Sequence, residues 1–171
     1  MASKPNTPPT LMDLAAQQYP YLADKNIAYA YTPDPKSENM LEFYSPEETD
    51  RPESLPSGQV GVQVFNPNTK PSDLLADYVS HYATQKDPKI KPLYDAFAST
   101  LDNKMMLDRY NWDVKNAGEK RPYEDWLKIS GLPAVFRGYT FRQWPDSFNN
   151  RFYSPKQKQI LDQIRALVGY K

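Results

Sequence analysis

Cysteine is absent from this sequence, which excludes disulfides, thiol nucleophiles and cysteine-bound zinc, and suits a reducing compartment. Histidine occurs once, as His81, so the usual set of about three protein ligands for a catalytic zinc lacks a second imidazole. Glycine is scarce, with six residues against 17 prolines. Connections are therefore expected to be held by proline and not to swing on glycine. No apolar run approaches the ~18 residues of a membrane-spanning helix. The opening MASKPNTPPT has no apolar stretch of the signal-peptide kind. No glycine-rich phosphate loop occurs, and Ser130 has no G-x-S-x-G context. The carboxylate pairs Glu47/Glu48, Glu124/Asp125 and Asp108/Asp113 have no apolar setting that would drive two pKa values apart. These absences predict a protein that is not an enzyme and takes no cofactor or metal.

What is present is aromatic. The 171 residues include 13 Tyr, 7 Phe and 3 Trp, with 39% hydrophobic content and a mean hydropathy of −0.79. Half-buried rings with wet hydroxyls fit that balance. The densest stretch is 121–144, RPYEDWLKISGLPAVFRGYTFRQW, around which the remainder of the chain is expected to pack. Within it, Tyr123, Trp126 and Ile129 fall on one helical face. Gly131 is suited to the positive φ that ends a helix, and Pro133 biases Leu132 to extended backbone. If 136–141 is extended, Arg137, Tyr139 and Phe141 share one side.

Net charge is zero but unevenly spread. Residues 32–56 carry seven acids and two bases, and residues 126–171 carry eight bases and two acids. Either the two segments face each other, or the basic one meets an acidic partner. Arg137, Tyr139, Phe141, Arg142, Trp144 and Arg151, followed by Phe152 and Tyr153, interleave cations with rings. That pattern fits nucleic acid, gripped through phosphates and stacked bases. It fits a protein partner equally well, since arginine and aromatics dominate contact hot spots. A core of rings bridged by arginine stems is the third reading. Asp73, Asp77 and His81 recur every fourth residue, either as an ordinary polar helix face or as a histidine base oriented by Asp77.

Along the chain, Thr10 and Asp13 predict a helix start running to about Gln18, ended by Pro20. Residues 19–35 alternate tyrosine and proline and read as extended chain laid over a surface. Leu41–Tyr44 and Val60–Phe65 are strand candidates that could pair. Leu74, Leu75, Tyr78, Val79 and Tyr82 form a helical stripe. A second runs through Leu93, Tyr94, Phe97, Leu101 and Met105 to about Trp112, with Gly118 as a stop. Residues 122–129 form a short helix, and Ser154-Pro155-Lys156-Gln157 caps a last helix closed by Gly169. The expected fold is mainly α: a proline- and tyrosine-rich arm and wrap over 1–39, then a single compact helical domain over 40–171 with a minor two-stranded β element.

LEFYSPEE, GVQVFNPNTKPSDLLADYVSHY, the phrase W-x3-SGLPA-x-FRGY-x-F-x-QW and the closing SPKQKQILDQI together resemble a segment found in bacteriophage-encoded proteins, including very large virion or polyvalent ones. The match covers roughly residues 40–169. The resemblance implies a phage origin, a place in the host cytoplasm or the virion, and a domain joined to larger machinery. It carries no catalytic residue with it. The expected function is binding, to a virion or host protein; the alternative is a nucleic-acid module using the basic-aromatic C-terminal third.

Overall fold

The computed structural model describes residues 7–37, 40–141 and 154–170. The fold is mainly α, with one small sheet. The chain forms two compact units, 1–81 and 82–171, so the division does not fall at residue 39. The boundary lies inside a π-type helical turn, Val79–Ala83.

In the first unit, α1 (Leu11–Gln18) begins as expected, with Thr10 and Asp13 capping each other's backbone N–H at 3.1 and 2.9 Å. A 3-10 turn follows at Pro20–Leu22, then β1 (Ala28–Tyr31), β2 (Leu41–Tyr44) and β3 (Gly61–Val64). The sheet has three strands, not two, in the order β1-β3-β2. β1 runs parallel to β3 and β2 antiparallel to it. The segment read as a wrap thus supplies a strand. Its alternation of tyrosine with alanine is a period-two pattern, masked in the sequence by the flanking prolines. Val62 and Val64 on β3 are buried, as are Leu74 and Leu75 on α2 (Pro71–Tyr78). Gly61 opens β3 because the Arg51 guanidinium occupies the space its Cβ would take. Arg51 also donates from Nη1 to the Gln59 carbonyl at 3.0 Å, which anchors the loop between β2 and β3.

The second unit is helical: α3 (Thr84–Lys86), α4 (Lys91–Ser99), α5 (Asn103–Asn116), α6 (Tyr123–Trp126), α7 (Leu132–Thr140) and α8 (Pro155–Val168). The stripe through Leu93 and Met105 is not one helix. Asp102 accepts from the Met105 backbone N–H at 2.9 Å and starts α5 afresh. α8 carries the capping box of Ser154 and Gln157 and ends at Gly169, φ 76°. Buried Gln157 also donates through its Nε2 to the Thr100 hydroxyl at 3.0 Å, stitching the start of α8 to the α4–α5 break.

The dense stretch holds the largest departures from expectation. Between α6 and α7 the chain stays helical through a π-type turn, Leu127–Gly131. Gly131 has φ −38°, not a positive value, and Leu132 is helical at φ −62°. Glycine is needed there for closeness: a Cβ would lie 3.1 Å from Leu127 Cδ1 and 3.2 Å from Met106 Cε. Pro133 falls in the first turn of α7, directly after the wider π-type turn, and does not break the helix there. The wider π turn rotates Ile129 off the face of Trp126, leaving Ile129 69% exposed.

Trp126 itself is 1% exposed and packs on Tyr110 and Tyr123 with ring centroids 5.5 and 6.1 Å away. Its indole Nε1 donates to Asp113 Oδ2 at 3.0 Å, and the other Asp113 oxygen lies 2.9 Å from Arg109 Nε. Burial pushes the Arg109 guanidinium down to about 10, against the upward pull of Asp113. Asp113, for which the sequence showed no apolar setting, is therefore the buried anchor of a tryptophan.

Candidate binding groove

Two rings of the surface expected from the sequence lie in the interior. Tyr139 is 1% exposed and Phe141 4%, so neither faces a partner. Tyr139 meets Phe97 edge-on at 6.2 Å, and Phe141 meets Tyr170 edge-on at 5.1 Å. The segment 132–140 is a helix, so the alternating faces of an extended 136–141 do not exist. Arg137 lies half-buried on α7. Arg142, Trp144 and Arg151, with Phe152 and Tyr153, lie outside the described residues.

The arginine that matters here was not singled out. Arg165, buried on α8, donates from Nε to the Thr140 carbonyl at 2.7 Å and from Nη2 to the Tyr139 carbonyl at 2.6 Å. A charged fork thus satisfies the carbonyls at the C-terminus of α7, where the helix dipole favours a cation. Its Nη1 meets Asp162 at 2.6 Å. An arginine thus braces the ring core at Arg165, which lies outside the 137–153 basic-aromatic stretch.

The acid–histidine series is also dissolved by local structure. Asp73 accepts from the Lys70 backbone N–H at 2.9 Å and caps α2. Asp77 is buried. His81 sits in the π turn and stacks on Phe43 of β2, with centroids 5.6 Å apart and rings 24° from parallel. Loss of water against that ring lowers the His81 pKa, with Glu48 pulling it back up. Among the described residues, no three His, Asp or Glu side chains gather as a metal site would require. No helix among them is long and apolar enough to cross a membrane.

An open site does exist in the first unit. A groove of ≈ 500 Å³ lies between the start of α1, strands β1 and β3, and the turn that follows β3. One wall is Pro8, Pro9, Leu11 and Leu14. The floor is Tyr29 and Tyr31 of β1 with Val64 of β3, which stands opposite Tyr31 in the register. The other wall is Asn66-Pro67 and Thr69-Lys70-Pro71. That wall is stiffened from within: Asn66 Oδ1 accepts from the Asn68 N–H at 2.8 Å, and the Thr69 hydroxyl donates to the Asn66 carbonyl at 2.8 Å. Prolines fix the rest. Leu14 is 40% exposed and Tyr31 45%. Burial raises the Tyr29 pKa, while the Leu11 backbone hydrogen bond pulls the other way.

The sequence held a signal for this groove. Tyr29 and Tyr31 are two residues apart, so they share a face once the segment is a strand. With the segment read as a wrap, no face could be assigned. Compared with protein-family models, curated proteins and solved structures, the chain matches none.

Proposed function

We propose that this is a non-enzymatic bacteriophage protein that works by binding a protein partner, and that the groove beside β1 receives that partner. The groove carries the reading: it is apolar, walled by proline and capped turns, and lined by tyrosines that stay partly exposed. Binding sites are typically concave, apolar and formed before the ligand arrives. Tyrosine suits the role, since it offers a large contact area with few torsions to freeze. Phage origin, and a place in the virion or the host cytoplasm, rest on the resemblance of the 121–144 phrase and its companions. The nucleic-acid alternative loses Tyr139 and Phe141 as stacking rings, because both are buried.

The test is capture from infected-host lysate by the full chain, repeated with Leu14→Arg. Leu14→Arg places a bulky charge in the wall of the groove. The expected result is a partner held by the wild type and lost by the variant at unchanged melting temperature. A partner held equally by both removes the groove from the function. Detection of the chain in purified virions separates the virion role from the host-directed one.

A further inference from the structure

We infer that the occupant of this groove is an extended, basic protein segment that adds as a fourth strand to the free edge of β1. The inference rests on the proposed binding groove and specifies its occupant.

The first observation is the edge itself. Among the described residues β1 pairs only with β3. Ala28 donates its N–H to the Val60 carbonyl at 2.8 Å and Thr32 donates to the Val64 carbonyl at 2.9 Å. Backbone N–H groups alternate in direction along a strand, so those of Tyr29 and Tyr31 point away from the sheet. An unpaired row of donors and acceptors is a template for another strand.

The second observation is what lies beside that edge. Tyr29 and Tyr31 stand in register with Val62 and Val64, so all four side chains project to one face. The apolar layer between this face and α1 is filled at β3, where Val62 and Val64 are each 1% exposed. It is unfinished at β1, where Tyr31 and Leu14 remain exposed around the groove. A strand laid along β1 puts every second side chain into that layer and completes it. Neither a globular surface nor a helix supplies both the backbone pairing and the alternate side chains.

The third observation is charge. Three carboxylates flank the lining residues: Asp13 on Thr10, Asp73 on Lys70, and Asp34 beside the Phe65–Asn66 turn. Lys70 is the one cation among the lining residues. The first unit as a whole has eleven acids and five bases, a balance of −6. The net negative charge of the unit favours lysine or arginine at the alternate positions that do not enter the groove.

The experiment uses the full chain and fluorescein-labelled decapeptides that alternate lysine with valine, leucine or phenylalanine, followed by anisotropy at low and high salt. Each best binder is then made in two forms, N-methylated on its lysine amides or on its apolar amides. Strand addition requires one set of amides and leaves the other in water. One methylated form should lose at least about tenfold, ~1.4 kcal/mol, while the other binds like the parent. Equal binding by the two forms, or equal loss in both, overturns strand addition while leaving the groove open to another mode. A peptide with glutamate in place of lysine should bind at least about tenfold more weakly, and equal binding overturns the charge assignment. Leu14→Arg and Tyr31→Ser should each abolish peptide binding; retention by either folded variant overturns the location. Failure of every peptide to bind overturns the inference, and the lysate experiment with Leu14→Arg then decides separately whether the groove binds at all.

Discussion

The two units use the same residue types to opposite ends. The first has eleven acids and five bases, and the second sixteen bases and ten acids, so the charges are −6 and +6. In the second unit Trp126, Phe136, Tyr139 and Phe141, with Arg109 and Arg165, are taken up by the fold. Trp126 is held by Asp113, Asp113 by Arg109, and the end of α7 by Arg165. In the first unit the rings and prolines close only three sides of a space and leave the fourth open. The comparison teaches that aromatic density in a sequence measures packing demand, not surface. Trp126, Phe136 and Tyr139 of the densest stretch are buried, and the sparser Tyr29/Tyr31 pair is the part left over.

That contrast can be broken most easily at Trp126. Trp126→Ala should destabilise the second unit by about 3–5 kcal/mol, through the cavity it opens. Trp126→Phe keeps a ring but leaves Asp113 without its indole donor, and should cost about 1–3 kcal/mol. Urea denaturation measures both. A Trp126→Ala loss below about 1 kcal/mol would mean that the ring is not the centre of this core. Next comes Arg165→Met, which preserves the stem but leaves the Tyr139 and Thr140 carbonyls without their charged donor. Hydrogen bonds to charged groups contribute about 1.5–3 kcal/mol, and two that share one guanidinium are not additive, so a loss of ~2–3 kcal/mol is expected. A neutral Arg165→Met would return Arg165 to the pool of surface cations.

The helical fold and most helix ends were legible because each is written locally. Thr10 with Asp13, Ser154 with Gln157 and Gly169 are short-range signals, and each is realised. β1 was hard to read, because prolines flank its Tyr–Ala alternation and its parallel partner lies 33 positions away in the register. The π turn at Leu127–Gly131 was missed for a related reason. Ser130-Gly131-Leu132-Pro133 carries the usual punctuation of a break, yet Met106 packing against Gly131 makes continuous helix the better solution. Tyr139 and Phe141 drop out of the expected contact surface on the same ground. A half-buried arginine between rings has one composition whether it braces a core or faces water, and only tertiary neighbours decide. The groove needed β1 first.

A smaller effect separates the units by acid. Arg121 forms a two-pronged pair with Glu119, Nε to Oε1 at 2.8 Å and Nη2 to Oε2 at 2.9 Å. Those hydrogen bonds lower the Glu119 pKa from 4.5 to about 2. A carboxylate with a depressed folded pKa adds stability above its unfolded value and loses it as pH falls. The Glu119 contribution is therefore complete above pH 4.5 and declines toward pH 2. Glu119→Gln should flatten the acid side of the stability profile in that window, read by thermal melts at stepped pH. The pair is only partly open to water, so high salt should shrink the change only in part. An unchanged slope would show that the pair contributes nothing to folding.

The smallest expected effect on folding is the one that sharpens the comparison most. Leu14 lies on the groove wall and is 40% exposed, while its neighbour Ala15 is fully buried. If the groove is surplus to the fold, Leu14→Ser should move stability by no more than about 0.5 kcal/mol, the usual range for surface changes. Ala15→Leu, by contrast, overpacks a filled site and should cost ~1–3 kcal/mol. The two substitutions sit on adjacent residues of α1, so helix propensity and local backbone are nearly matched between them. A neutral Leu14→Ser that also weakens partner capture identifies a residue kept for contact and not for packing. A Leu14→Ser loss as large as that of Ala15→Leu would mean the opposite. The apolar layer over β1 would then be core that happens to be wet, and the first unit would be built on the same terms as the second.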